Sequence, residues 1–318
     1  MPRLLKFVCF IACLSVSLWS YGQSSKYPDK SIELVVLFPV GSSSDVVARI
    51  FADNLSKELG VPIVVNNKPG AGGAIGYKYI ASKNPDGYSF VWSSNSILST
   101  YYSGALNIDY KNFDHIARAT LEFPVIAVRS EAPWKNLKEL IEYARKNPED
   151  LRVGNSGTGS FTHYAGASFF DSQGVKVTHV PYASSQVVTS LMGNNIEAVV
   201  QAPGALMAFV NSGSLRVIGV LGSQRDPIFP NVPTANEQGI QFQADMWRGV
   251  TGPKGTPKDV SDRIQTAVQK TLNSAEFKKQ CEKFGCQSSY ADSAQFLKEI
   301  AAENQLVATF MKQSLKNN

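Results

Sequence analysis

The sequence predicts an α/β fold in which helices are layered on mostly parallel sheets. Apolar segments of strand length alternate with amphipathic segments of helix length along most of the chain. With 318 residues and 43% hydrophobic content, the chain is long enough to bury two cores, which indicates two domains. In addition, a strand–turn–helix pattern rich in Gly and Ser occurs once in each half, at 35–59 and at 153–170.

The first 22 residues are predicted to be a secretory signal peptide and not part of the fold. Arg3 and Lys6 form a short basic region, residues 7–19 are apolar, and the segment ends in a small residue, Gly22. The apolar run is too short for a permanent membrane span, so we expect export followed by cleavage near Gly22. In an alternative interpretation Cys13 is a lipidation site, but only twelve residues precede it, and we favour cleavage.

The elements follow from local patterns. Each predicted strand is a run of apolar, β-branched or aromatic residues between turn residues, and each predicted helix has apolar residues three and four positions apart. In the first half we expect strands at 32–38, 63–66 and 88–92, and an extended segment at 116–128. The helices expected there are at 45–59, after the glycine-rich turn 69–76 through residue 80, and at 137–145. In the second half we expect strands at 151–154, 177–180, 198–201 and 217–221, and helices at 162–173, 185–192, 204–212, 257–273 and 291–316.

The turn before the helix at 45–59 is predicted to bind an anion. It consists of Val40, Gly41, Ser42 and Ser43, followed by Ser44 and Asp45. The first N–H groups of a helix have no intrahelical acceptor and the helix dipole is positive there, which favours a negative ligand. No lysine follows the turn as in a P-loop and no G-x-G-x-x-G occurs, so a carboxylate is favoured over a nucleotide. The alternative is an ordinary capped helix, in which Ser44 or Asp45 accepts from the first-turn amides.

A second turn of the same kind precedes the helix at 162–173. It consists of Ser156, Gly157, Thr158, Gly159 and Ser160. The alternative here is a tight turn in which the glycines provide unusual backbone angles. We hypothesise that the two turns, one in each half, close on the two ends of one acidic ligand.

The sequence does not favour an enzyme, a metal site or a nucleic-acid partner. The three histidines, His115, His163 and His179, have no metal-ligand spacing, and there is no H-E-x-x-H or G-x-S-x-G motif. The net charge of +5 is not clustered into a basic run, and two of the positive charges lie in the signal segment. A hydrolase that assembles a serine with His163 or His179 in space is the enzymatic alternative. We interpret His163 instead as a polar contact on the helix of the second turn or as a solvated surface residue.

Four further residues are singled out by their type and position. Arg248 would clamp a carboxylate with its planar guanidinium if it faced a cleft, and otherwise is a surface arginine. Gln201 ends a predicted strand, where ligands collect in open α/β sheets. Cys281 and Cys286 remain after signal cleavage, and export permits a disulfide between them, although two free thiols are the alternative.

Six motifs occur in an order that resembles one family, the periplasmic substrate-binding receptors of tripartite tricarboxylate transporters, often called Bug-type receptors. The motifs are V-V-L-F-P-V-G-S-S-S-D at 35–45, N-K-P-G-A-G-G-A-I-G at 67–76, P-D-G-Y at 85–88, H-V-P-Y at 179–182, P-N-V-P-T at 230–234 with Glu237 and Gly239, and G-P-K-G-T-P at 252–257. Together they span nearly all of the chain after the signal segment.

The resemblance implies a type II periplasmic-binding-protein fold, with two α/β domains around a ligand cleft and strands that cross between them. One domain would comprise residues 23–124 plus 248–318 and the other residues 125–247. The implied function is a periplasmic, monomeric receptor that captures a dicarboxylate, tricarboxylate or aromatic acid for a membrane permease, without a cofactor. A sensor protein as partner, or a permanently closed scaffold that binds only partners, are alternatives.

Site residues are carried over by position. The resemblance implies ligand contacts from the turn at 40–43, from Ser93, Ser94 and Asn95, from the turn at 156–160, and from Tyr182, Ala183 and Ser184. This chain departs from the family where Ala183-Ser184 replaces Lys-Gly, where Gln201 replaces an aspartate, and where Arg248 replaces an aromatic residue. With Phe38, Trp92 and Phe161, these departures leave an aromatic carboxylate open as the ligand.

Overall fold

The computed structural model describes residues 27–183 and 186–314. The predicted signal peptide and Ser184 lie outside the described residues. Within them, the chain forms two sheets that are each covered by helices on both faces, which confirms the predicted α/β fold. We call the larger sheet with its helices the first lobe, and the smaller sheet with its helices the second lobe.

The first lobe is built on a six-stranded sheet with the spatial order β11-β4-β10-β3-β1-β2. Its strands are β1 (Ile32–Val36), β2 (Ile63–Asn67), β3 (Ser89–Ser94), β4 (Phe113–Glu122), β10 (Met246–Pro253) and β11 (Gln287–Asp292). The sheet is mixed, because β10 is antiparallel to both of its neighbours. Its helices are α1 (Ser43–Leu59), α2 (Ala74–Ala81), α3 (Ser96–Tyr102), α8 (Lys258–Asn273), α9 (Ala275–Lys283) and α10 (Ser293–Ser314).

The second lobe is built on a five-stranded mixed sheet with the order β7-β6-β8-β5-β9. Its strands are β5 (Val125–Arg129), β6 (Arg152–Asn155), β7 (Thr178–Pro181), β8 (Ala198–Gln201) and β9 (Leu215–Val220). Its helices are α4 (Leu137–Lys146), α5 (Phe161–Ser172), α6 (Gln186–Met192) and α7 (Met207–Asn211). Both sheets thus differ from the mostly parallel ones that the sequence predicts.

The chain crosses between the lobes twice, and the two crossings lie side by side. The first joins Glu122 at the end of β4 to Val125 at the start of β5, and the second enters β10 at Met246. Glu122 and Met246 are paired in the β4–β10 register, so the crossings are held together by the sheet. The predicted extended segment at 116–128 is therefore two strands in two sheets, interrupted at Pro124.

The cores lie between each sheet and its helices. On one face of the first-lobe sheet, Phe51 packs on Trp92 with a centroid distance of 4.7 Å, and on the other face Phe296 packs edge-on against Trp247 at 4.9 Å. A disulfide joins Cys281 to Cys286, both fully buried, and closes the turn between α9 and β11. Within the described ranges, no helix has the length and apolar character that a membrane span requires.

Phe296 anchors the long helix α10 to the first-lobe sheet, so its truncation tests this core. Phe296→Ala should lower the free energy of unfolding by about 3–5 kcal/mol, because it leaves a cavity beside Trp247 and His115. Urea unfolding of the two proteins measures the loss. Leu297→Ala is the matched control, since Leu297 is 44% exposed on the same helix and should cost less than about 1 kcal/mol. Equal losses from the two substitutions would contradict this packing.

Candidate functional site

A cavity of about 200 Å³ lies between the two lobes and is lined by residues of both. We call it the interlobe cavity. Its polar lining residues are Ser42, Ser43, Ser44, Ser94, Ser156, Ser160, Thr162, Gln201 and Arg248, with Gly41 among them. Its apolar lining residues are Phe38, Phe161, Val188, Ala202, Ala205, Phe209 and Met246.

The first lobe presents the N-terminus of α1 to this cavity. Ser42 caps the helix by accepting from the N–H of Asp45 at 3.3 Å, and Asp45 in turn accepts from the N–H of Gly41 at 2.9 Å. Burial by itself raises the pKa of Asp45, but hydrogen bonds from Arg49, Gly41 and Asn67 outweigh it and hold that pKa below its usual value. Asp45 therefore shapes the turn as an anion and is not available to a ligand.

The first turn of α1 keeps unused donors that line the cavity. Ser43 and Ser44 are the first two helical residues, whose N–H groups have no intrahelical acceptor. The Oγ atom of Ser44 is buried and has no hydrogen-bond partner among the described residues. A buried polar group without a partner is uncommon, and a ligand oxygen in the cavity would satisfy it.

The second lobe presents the N-terminus of α5 in the same way. Ser160 caps the helix by accepting from the N–H of His163 at 3.2 Å, and the hydroxyl of Thr162 accepts from the N–H of Ser156 at 3.0 Å. Gly157 has a φ of 107°, a conformation that L-residues rarely adopt, so this turn requires glycine. The helix begins at Phe161, which lines the cavity together with Thr162. The positive ends of two helix dipoles therefore meet at one cavity.

A buried ion pair borders the cavity where the chain crosses between the lobes. The Nε of Arg248 donates to Glu122 Oε1 at 2.9 Å, and the hydroxyl of Ser43 donates to Glu122 Oε2 at 3.0 Å. The two side chains are only 5% and 0% exposed. The guanidinium lies 5.8 Å from the centre of the Phe38 ring, and its Nη2 donates to the Met246 sulfur at 3.4 Å. Arg248 Nη1 makes no hydrogen bond to the described residues, so this nitrogen can donate to a ligand.

A second buried carboxyl group, that of Asp226, interacts with this pair. Its Oδ1 accepts from the N–H of Ile228 at 3.0 Å, and its Oδ2 has no partner among the described residues. Burial raises the pKa of Asp226 to about 7, and the negative charge of Glu122 contributes to this shift. Glu122 thus interacts both with Arg248 and with a second buried acid that resists ionisation.

The structure gathers eight of the predicted site residues around the interlobe cavity. They are Gly41, Ser42, Ser43, Ser94, Ser156, Ser160, Gln201 and Arg248. Gln201 and Ser156 hydrogen-bond to each other through their side chains at 2.8 Å. A neighbouring cavity of about 500 Å³ shares Phe38 and Ser156 with it and is lined by four more predicted residues: Gly157, Thr158, Tyr182 and Ala183.

The other predicted site residues that the structure describes do not line these two cavities. The side chain of Val40 is 67% exposed, and Ser93 is fully buried, where its hydroxyl pairs with that of Tyr77 at 3.1 Å. Asn95 holds the second crossing in place, because its amide donates to Glu303 at 2.6 Å and its Oδ1 accepts from the N–H of Trp247 at 2.8 Å. Trp92, considered with the aromatic ligand, is buried in the core against Phe51.

Gly159 and His163 line a separate cavity, which shares no lining residue with the interlobe cavity. The Nδ1 of His163 accepts from the N–H of Gly159 at 3.2 Å, and its ring packs on that of His179 at 5.4 Å. Burial lowers the pKa values of both histidines, that of His179 to about 4. Within the described residues, no serine hydroxyl bonds to an imidazole nitrogen, so the hydrolase alternative gains no support from the geometry.

The lobes touch on both sides of the interlobe cavity at positions where only glycine fits. A Cβ on Gly72 would lie 2.7 Å from the carbonyl oxygen of Thr158, and a Cβ on Gly204 would lie 2.5 Å from that of Phe284. Beside the first contact, the hydroxyl of Ser99 donates to the carbonyl of Gly159 at 2.6 Å. These contacts join backbone segments of different lobes around the cavity.

Sequence reasoning missed several residues of the site. Ser44 was considered only as a cap, although it continues the same serine run and has the unpartnered hydroxyl. Glu122 carries a visible signal, because it is a charged residue inside a predicted extended apolar segment. Thr162, Phe209 and Met246 have no distinguishing sequence pattern.

Most of the chain is similar to one family of known proteins. The family model described as "Tripartite tricarboxylate transporter family receptor" matches residues 47–314. Protein BugT of Bordetella pertussis is 31% identical over 281 residues, covering 86% of this chain and 86% of BugT. A solved structure of a periplasmic transporter is 32% identical with a TM-score of 0.85, covering 91% of this chain and 98% of that one. The R. palustris protein Rpa4515, solved with adipate, is 26% identical with a TM-score of 0.84, covering 90% and 98%. These similarities confirm the resemblance that the six motifs indicate.

Asp226 makes a pH dependence of stability testable. The unfolded carboxyl titrates near pH 4 and the folded one at about 7, so between these values the folded protein holds a proton that the unfolded chain has released. Its contribution to stability is therefore lost as the pH rises through this window. The Asp226→Asn variant has no ionisable group at this position and does not lose this contribution. Its free energy of unfolding, relative to that of the wild type, should therefore rise by more than about 1 kcal/mol between pH 4.5 and 7.5.

Urea unfolding at the two pH values measures this difference. Asp171→Asn is the control, because it makes the same chemical change at an exposed position. A pH-independent difference for Asp226→Asn would show that its carboxyl is ionised in the folded protein.

Proposed function

Because the chain belongs to the family of tripartite tricarboxylate transporter receptors, we propose that it captures a small carboxylate in the interlobe cavity for uptake by a membrane permease. The family consists of solute-binding receptors, so the chain is a receptor in that sense. What we propose is the class of ligand, the location of its binding site and the permease as partner. The observation that carries it is the meeting of two helix N-termini, an unpartnered Ser44 hydroxyl and one arginine at a single cavity between the lobes.

Each of these groups favours a negatively charged oxygen. Helix N-termini bind anions through first-turn N–H groups and the dipole, and hydroxyl and guanidinium donors form stronger hydrogen bonds to charged than to neutral acceptors. The related protein Rpa4515 was solved with adipate, which supports a carboxylate ligand for this chain too. We therefore propose that the ligand contacts come from the turns at 41–44 and 156–162, with Gln201 and Arg248.

The position of the cavity suggests how binding is signalled. A ligand that contacts both lobes stabilises the arrangement in which they are close, and so shifts an equilibrium between open and closed forms. The backbone contacts at Gly72 and Gly204 belong to the closed form in this proposal. We further propose that the receptor acts as a periplasmic monomer, with residues 23–124 plus 248–318 and residues 125–247 as the moving domains.

Thermal unfolding of residues 23–318 with a panel of mono-, di- and tricarboxylates and aromatic acids tests the function. A ligand at 100 times its dissociation constant stabilises the protein by about 2.7 kcal/mol, which raises the unfolding midpoint by a few degrees. Ser44→Ala should weaken binding of the active acid by about tenfold or more, because it removes a hydrogen bond to a charged group.

Ser168→Ala is the matched control for Ser44→Ala. The hydroxyl of Ser168 donates to the carbonyl of Tyr164 within its own helix at 2.8 Å, so its loss should leave affinity unchanged. If no acid in the panel shifts the midpoint, or if Ser44→Ala binds as tightly as the wild type, the proposed ligand or site is wrong.

Gly204→Ala tests closure of the lobes. Its methyl group would lie 2.5 Å from the Phe284 carbonyl oxygen, so the lobes must separate slightly to accommodate it. We expect about tenfold weaker binding and a larger radius of gyration at saturating ligand in small-angle scattering. Gly193→Ala is the control, since an added Cβ there meets nothing nearer than 3.2 Å. Wild-type affinity in Gly204→Ala would contradict a role for this contact in closure.

A further inference from the structure

We propose that the interlobe cavity selects a monocarboxylate with an apolar body of about the size of one ring, and discriminates against di- and tricarboxylates. This inference rests on the proposed function, because it narrows the class of carboxylate that the same site binds. It follows from the charge of the cavity, from the distribution of its apolar residues, and from its volume.

The cavity provides positive charge for about one carboxylate. Arg248 is the only charged residue among the described residues that line it, and Glu122 neutralises this charge at a distance of 2.9 Å. The Ser43 hydroxyl already donates to the carboxylate of Glu122. The remaining positive field comes from the two helix N-termini, each equivalent to roughly half a unit charge. Together they balance one negative charge and leave nothing for a second.

The surroundings of Arg248 are already negative. Burial and the charge of Glu122 together raise the pKa of Asp226, a second buried acid, which shows that a further negative charge near Glu122 is disfavoured. A second ligand carboxylate placed near Arg248 would therefore lie beside the buried carboxylate of Glu122, to which the guanidinium already donates. Charges that are buried without a matching partner are strongly unfavourable.

The rest of the cavity suits an apolar group. Phe38, Phe161, Val188, Phe209 and Met246 line it, and four of these five side chains are less than 9% exposed. The volume of about 200 Å³ is somewhat larger than the roughly 150 Å³ of a protein cavity that holds benzene. A ring or a short alkyl chain would bury its surface here, whereas a second carboxylate would lose its hydration without compensation.

Calorimetric titration with matched acids tests this selectivity. The pairs are 4-methylbenzoate with terephthalate and hexanoate with adipate, which share a carbon skeleton and differ in that one carboxylate replaces a methyl group, and citrate is added as a tricarboxylate. For the wild-type chain 23–318, we expect the monocarboxylate of at least one pair to bind about tenfold or more tightly than its dicarboxylate. Glu122→Gln removes the neutralising charge from Arg248 and should reduce this preference by about tenfold or reverse it.

Glu299→Gln is the matched control. Glu299 pairs with Arg118 at 2.8 Å in the same lobe but does not line the cavity, so its substitution should leave the preference unchanged. If the wild type binds adipate, terephthalate or citrate as tightly as the monocarboxylates, the selectivity is wrong while the receptor function stands. If folded wild-type protein binds none of the acids, the proposed function fails and the selectivity fails with it. The wild-type ratio decides the question even if Glu122→Gln does not fold.

Discussion

The buried ion pair between Arg248 and Glu122 is the interaction on which the rest of the site depends. Glu122 is the last residue of β4 before the first crossing, and Arg248 lies just after the second, so the pair fixes the point where the lobes are joined. Burying two charges costs several kcal/mol each, which the attraction between them only partly offsets. The pair is therefore better explained by its role in positioning neighbouring groups than by a contribution to the free energy of unfolding. It holds the serine turn of α1 through Ser43 and sets the charge that faces the cavity.

The predictable parts of the structure are those whose signal is local. Strand β8 and helix α1 follow from the spacing of their own apolar residues, and the turns before α1 and α5 follow from their small residues and hydroxyls. Strand β10 was not recognised, because Arg248 and its glycines interrupt any apolar pattern; the arginine is tolerated only because Glu122 lies opposite it, 126 residues away in sequence. Strand β11 is polar and lies at the edge of its sheet, so it too lacks a local signal.

The same distinction explains which site residues were found. Five of the eight predicted residues at the interlobe cavity lie on the two turns that precede helices, and the other three, Ser94, Gln201 and Arg248, lie at or near strand ends. Asn95 was carried over by position in the motif pattern, but its side chain is occupied by Glu303 and Trp247, both distant in sequence. His163 is the third residue of α5, and its ring contacts His179 and accepts from the N–H of Gly159, so that it lines a separate cavity and not the interlobe cavity. The position of a residue in the sequence does not specify the direction of its side chain, and for this reason Asn95 and His163 do not line the predicted site.

The disulfide between Cys281 and Cys286 has a consequence for how such a receptor is prepared. Phe284 and Gly285 lie inside the short loop that it closes, and it is this loop that the second lobe touches at Pro203 and Gly204. The surface on which the second lobe rests is therefore shaped by a disulfide, a bond that forms and persists in oxidising compartments. Protein produced in a reducing compartment, or handled with thiol reagents, lacks this disulfide. The loop against which the second lobe packs is then less constrained, and ligand affinities measured on such protein refer to the reduced form.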